Sequence, residues 1–222
     1  MNAIQKSSLL LFMILLAFPS FARGGDEADS SSDIIQSTEV LVPDPETTDE
    51  GTQTDVNADV EPTILDAQTA DVLFGLGMMP FQNRIPSEDF VLATLEGDEQ
   101  ALADYHGKVV FLNFWATWCP PCREEMPSMQ TLYDELSDDG LEIVAVNVLE
   151  AEDTVSAFVE ENGFTYPVLL DRDGRVSLRY SVRAYPTTYI LDRAGNVIAV
   201  RQGFHNWSTP EMIAGFRKLL ER

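Results

Sequence analysis

Two cysteines among 222 residues, Cys119 and Cys122, leave little room for metal or haem chemistry. A tetrahedral zinc site needs four ligands of the Cys or His kind. The two histidines, His106 and His205, stand far from the cysteines and lack ligand spacing. Arg123, not a histidine, follows Cys122, so the pair is no covalent haem-attachment motif. Basic residues are scarce as well. The chain carries 14 Lys and Arg against 37 Asp and Glu, a formal net charge of -23. Such a chain offers phosphates no basic face, which excludes nucleic acid as a partner. The apolar run at residues 9–18 is too short to span a bilayer comfortably as a helix.

What is present divides into three parts. Lys6, the apolar run, Pro19 and the small residues Ser20 and Ala22 follow the plan of a secretory signal, expected to be cleaved after Ala22 or retained as an anchor. No cysteine lies near that point, so a lipoprotein anchor is excluded. Such a signal predicts work outside the cytosol, in the periplasm, where disulfide chemistry is permitted. Residues 23–83 hold 14 acidic side chains and one basic, with no sustained apolar period, and read as a disordered acidic linker. The patch at residues 72–79 is the exception: a loose connector, a short element docked on the domain, or a partner contact.

Residues 84–222 read as one α/β domain. Residues 90–95 alternate like a strand before a turn at Gly97-Asp98. Residues 109–115 are apolar almost throughout, as in a strand covered on both faces. A helix is expected from about Cys119 to Leu136, with Met126, Met129, Leu132, Tyr133 and Leu136 as its apolar stripe and Pro127 as a kink. Strands follow at 143–148, 166–170, 187–191 and 197–200. Helices are expected at 152–161 and from the Ser208-Thr209-Pro210-Glu211 start onward.

The dithiol falls where the buried strand hands over to the helix. A helix N-terminus presents unpaired N–H groups and partial positive charge, which stabilise a thiolate. Thiolate is the attacking species in disulfide exchange. Cys119 is therefore the expected nucleophile and Cys122 the resolving thiol. A structural disulfide closing so small a loop would stabilise little.

The run from Asn113 through Trp115-Ala116-Thr117-Trp118-Cys119-Pro120-Pro121-Cys122 to Pro127 resembles the active-site segment of the TlpA/ResA family. Residues 182–192, containing Ala184-Tyr185-Pro186-Thr187-Thr188, resemble its second signature. The likeness covers nearly two thirds of the chain, from about Pro86 onward. It implies a thioredoxin-like fold, a central mixed β-sheet flanked by helices, and extracytoplasmic disulfide reduction. Several such proteins serve cytochrome c maturation. The implied partners are a disulfide-containing protein substrate and a membrane-embedded thiol electron donor. No cofactor or metal is implied. The resemblance also implies a cis Pro186 facing the cysteines, with the Tyr185 backbone open to a bound peptide. Tyr185 itself either shapes substrate choice or covers apolar surface. Trp118 is expected over the disulfide and Pro120 in the substrate-facing loop.

Thioredoxins proper carry a buried carboxylate on the strand entering the motif. Here Asn113 holds that place and cannot take a proton. Glu125, three residues beyond Cys122 and on the same helix face, is the alternative proton acceptor, or else part of a solvated surface with Glu124. His106 and His205 read as loop residues. Two other functions use the same thiols: a disulfide oxidase or isomerase, and a copper-binding chaperone. Met126 and Met129 suit core packing better than copper.

Overall fold

Seven consecutive buried residues make the central strand, β4 (Val109–Trp115). It lies parallel to β5 (Leu141–Val148) and antiparallel to β7 (Thr187–Leu191). Side chains alternate across a strand. Val109, Phe111 and Trp115 therefore enter one apolar core, and Val110, Leu112 and Phe114 enter a second on the other face. Burial on both faces explains the near-continuous apolar run. The computed structural model describes residues 63–222. The expected signal segment 1–22, and residues 23–62 of the expected linker, lie outside the described residues.

The sheet continues on both sides of this centre. Its eight strands run in the order β1 (Met79–Pro86), β8 (Asn196–Gln202), β7, β4, β5, β6 (Val168–Asp171), β2 (Val91–Thr94), β3 (Glu99–Ala101). The β4–β5 and β5–β6 pairs are parallel and the others antiparallel. A parallel neighbour needs a crossover, and helices supply both: α2 (Pro120–Leu136) between β4 and β5, and α3 (Glu152–Asn162) between β5 and β6. Gly163 closes α3 with φ +69°, a left-handed cap that glycine adopts without steric cost. The short α4 (Arg175–Arg179) and the closing α5 (Pro210–Leu220) complete the domain. Thr209 caps α5 by accepting the Met212 N–H, as the Ser-Thr-Pro-Glu start predicts. The sixth strand begins at Val168, not Tyr166, because Pro167 cannot donate to the ladder. Among the described residues no helix is long and apolar enough to cross a membrane.

The expected linker 23–83 needs correction at its C-terminal end. Helix α1 (Ala67–Gly75) and strand β1 are ordered parts of the domain, so the boundary at residue 84 falls too late. Asp66 caps α1, accepting from the Thr69 N–H at 2.9 Å and the Thr69 hydroxyl at 2.7 Å. Leu65, Leu73, Leu76 and Met78 are buried in the same core as Phe216 and Trp207. At roughly 1.5–3 kcal/mol per buried large apolar side chain, four such residues outweigh a polar composition. Strand β1 lies at the sheet edge against β8, the position where Pro80 and Pro86 are tolerated. Arg84 fastens it to Asp192 at 3.0 Å.

Candidate active site

The turn from β4 into α2 carries the dithiol. Cys119 and Cys122 are joined by a disulfide, with Cα atoms 5.3 Å apart. Cys119 is the N-cap of α2, and its sulfur accepts the Cys122 N–H at 3.3 Å. Pro120 and Pro121 between them have no N–H, so they add no donor to that sulfur. In this oxidised form both cysteines are buried, Cys119 4% and Cys122 1% exposed.

The loop before the helix is held by a carboxylate that the motif does not reveal. Glu150, just beyond β5, accepts the Thr117 N–H at 2.7 Å and the Thr117 hydroxyl. Asn147 donates to the same carboxylate at 2.7 Å, fixing it in turn. Thirty-three residues separate Glu150 from Thr117, and only the parallel β4–β5 pairing brings them together.

Glu125 is not a solvated surface acid. It is 1% exposed, while its neighbour Glu124 faces solvent. Helical periodicity separates the two: Cys122, Glu125, Met126 and Met129 share the inner face of α2. One carboxylate oxygen accepts from Asn113 Nδ2 at 3.0 Å, the other from the His205 N–H at 2.9 Å. Burial pushes the acid up to about 7. The His205 N–H, the Trp207 indole, Asn113 and the Arg201 charge pull the other way. Such a group exchanges protons near neutral pH. Asn113 also donates to Thr188 Oγ1 at 3.0 Å, and its own Oδ1 is buried without a hydrogen-bond partner among the described residues. An amide here donates to the carboxylate and, turned over, offers oxygen to the protonated acid.

The third wall is the segment before β7. The Tyr185–Pro186 peptide bond is cis, as the second signature implies. Pro186 is buried, and its carbonyl accepts the Gly203 N–H at 2.8 Å. Among the described residues no hydrogen bond takes up the Tyr185 backbone N–H or carbonyl. The Tyr185 ring meets Trp118 edge-to-face at 5.9 Å. Trp118 is 64% exposed, and Pro120 is exposed beside it. Trp118 thus stands out at the rim. Trp115 is wholly buried against Phe158.

Sequence reasoning missed Glu150, and it missed His205 as a partner of Glu125. His205 acts through its backbone, and a backbone donor leaves no mark in residue type. Met126 and Met129 are core residues. Among the described residues no group of three or more His, Cys, Asp or Glu stands together as metal ligands do.

A mixed sheet, a dithiol at a helix N-terminus and a cis proline beside it define a thioredoxin-like redox domain. The AhpC/TSA family model matches residues 83–200. Thiol-disulfide oxidoreductase ResA of Geobacillus thermodenitrificans is 49% identical over 115 residues, which is 52% of this chain and 66% of that relative. The match thus spans just under two thirds of that protein's length. ResA of Halalkalibacterium halodurans is 41% identical over 133 residues, 60% of this chain and 74% of the relative. A solved thiol:disulfide interchange protein of the thioredoxin family from Chlorobium tepidum is 28% identical. Its TM-score is 0.53, over 63% of this chain and 95% of that one. The chain belongs to the AhpC/TSA family, in its ResA/TlpA-type branch of thiol–disulfide oxidoreductases.

Proposed function

We propose that this protein reduces disulfides in exported proteins, outside the cytosol, through the Cys119–Cys122 pair. The observation that carries the reading is the disulfide at the first turn of α2 with the buried acid Glu125 one turn further on. In the reduced protein the Cys119 thiolate attacks one sulfur of a substrate disulfide. A mixed disulfide forms and the first substrate thiolate leaves. Glu125 accepts the Cys122 proton, and the Cys122 sulfur attacks Cys119. The second substrate thiolate is released, two electrons have passed to the substrate, and the intramolecular disulfide is restored. Trp118, Pro120, Tyr185 and Pro186 form the substrate-facing surface, where the Tyr185 main chain pairs with an extended peptide.

The direction of electron flow follows from the surroundings of Cys119. A dithiol is oxidising when its reduced form is specially stabilised by charge and hydrogen bonds on the thiolate. Pro120 and Pro121 contribute neither. Glu124 and Glu125 add negative charge close by, against one Arg123. The disulfide is comparatively stable and the dithiol gives up electrons readily. An oxidising compartment would drain such a protein, so a membrane-embedded thiol donor recharges it. Apocytochrome c is a substrate of the right class. Equilibration with dithiothreitol or glutathione buffers tests the reading. A potential near about -270 mV supports a reductant, and one near about -120 mV makes the protein an oxidant.

A further inference from the structure

The loop between β8 and α5 is a junction. Its Gly203 N–H donates to the Pro186 carbonyl at 2.8 Å, and its Trp207 N–H to Ser128 Oγ on α2 at 3.0 Å. Between these points the His205 N–H donates to Glu125 at 2.9 Å. The His205 ring lies against Trp207 at 4.6 Å, with Nε2 3.3 Å from Met212 Sδ. One cation reaches this loop from β8. Arg201 donates through Nη1 to the Gly77 carbonyl at 2.5 Å and, more weakly, through Nη2 to the Phe204 carbonyl at 3.4 Å. Gly77 is the turn between α1 and β1, with φ +68°. A Cβ there would lie 3.0 Å from Arg201 Nη1 and 3.6 Å from His205 Cε1, so the guanidinium occupies the space a side chain would need. Helix α1 and this turn precede the span that the family model matches.

We propose that Arg201 is a positioning residue for Glu125: it clamps the α1–β1 turn at Gly77 to the loop at Phe204, and through that loop fixes the His205 N–H that the carboxylate accepts. The N-terminal appendage is thereby built into the active site instead of merely docked beside it. Arg201 also acts through its charge. Its Nε is buried without a hydrogen-bond partner among the described residues, and its positive charge favours ionised Glu125. The other groups facing that carboxylate are Asn113 from β4 with Thr188 of β7 behind it, and the Trp207 indole from the loop. The Tyr166 phenol, ahead of β6, feels the same charge. Cys122 lies one turn earlier on α2. The functional consequence rests on the reading of Glu125 as the proton acceptor of Cys122.

The test uses the full chain with Arg201→Met, which keeps an apolar stem, and Arg201→Lys, which keeps the charge without the fork. Three readouts are followed: His205 amide hydrogen exchange, the Glu125 carboxyl titration by carbon NMR, and the pH–rate profile of disulfide exchange. Arg201→Met is expected to speed His205 amide exchange about tenfold or more and to move the Glu125 midpoint upward by about half a pH unit or more. Arg201→Lys is expected to return most of the midpoint while the His205 amide stays fast. Arg217→Met, which removes a surface cation paired with Glu135 and Asp139, is the control and should leave both unchanged. A His205 amide and a Glu125 midpoint in Arg201→Met equal to wild type would overturn the clamp, as would equal changes in Arg217→Met. If both respond but the pH–rate profile does not move, the clamp stands and the proton-acceptor role of Glu125 fails.

Discussion

Glu125→Gln should remove a pH dependence of stability that the parent protein shows between about pH 4.5 and pH 7. The ordinary value for this acid is 4.5 and burial raises it to about 7 in the folded chain. The folded state therefore holds the proton more tightly than the unfolded state. The stability associated with the neutral acid is fully present below pH 4.5, declines as pH rises, and is lost once pH passes about 7. With about 1.4 kcal/mol per pH unit, the loss over that window is about 3 kcal/mol. Glutamine keeps the shape but turns an N–H toward donors, Asn113 Nδ2 or the His205 N–H. That adds a pH-independent cost of about 1–3 kcal/mol, so the slope is diagnostic and the offset is not. Urea unfolding of both disulfide-bonded proteins from about pH 4 to 8 measures the difference. Every other carboxylate is common to the two chains and cancels. Parallel stability curves across the window would refute the argument. The same substitution should erase one inflection near pH 7 from the disulfide-exchange rate, leaving only that of the Cys119 thiol.

The remaining predictions concern the appendage and the thiols. Leu76→Ala should lower unfolding free energy by about 2–5 kcal/mol, because Leu76 is wholly buried and packs on Gly215 of α5; a change under about 0.5 kcal/mol in chemical denaturation would return α1 to the status of a linker. In the reduced protein, iodoacetamide near neutral pH should modify Cys119 before Cys122. Cys119 caps the helix, its sulfur receives the Cys122 N–H, and Cys122 is the more enclosed. Mass mapping that finds Cys122 labelled first would exchange the roles.

The active-site strand, the dithiol helix and the closing helix were legible because each pattern reports a local cause. An unbroken apolar run of seven reports burial on both faces, and Cys-Pro-Pro-Cys marks the helix start. The α1–β1 appendage was not legible. Of its buried apolar residues only Leu73 and Leu76 stand at helical spacing; Leu65 precedes the helix and Met78 lies just ahead of β1, too few and too scattered to mark a sustained period. What made them a core was the groove beside α5, formed by residues more than a hundred positions away.

The sequence by itself determined the local arrangement: which two sulfurs can pair, which end of a helix they occupy, and that two prolines separate them. Those facts are local, because an N-terminus and a missing N–H depend on neighbours in the chain. Tertiary structure decided the environment. Glu124 and Glu125 are adjacent and identical in type, yet one faces water and the other lies 1% exposed beneath α2. Only packing removes the solvent that would hold an acid at its ordinary value. Glu150 on Thr117, His205 on Glu125 and Arg201 on Gly77 span 33, 80 and 124 residues. Contacts at such separations are fixed by strand order and loop closure, which no residue pattern near either partner records.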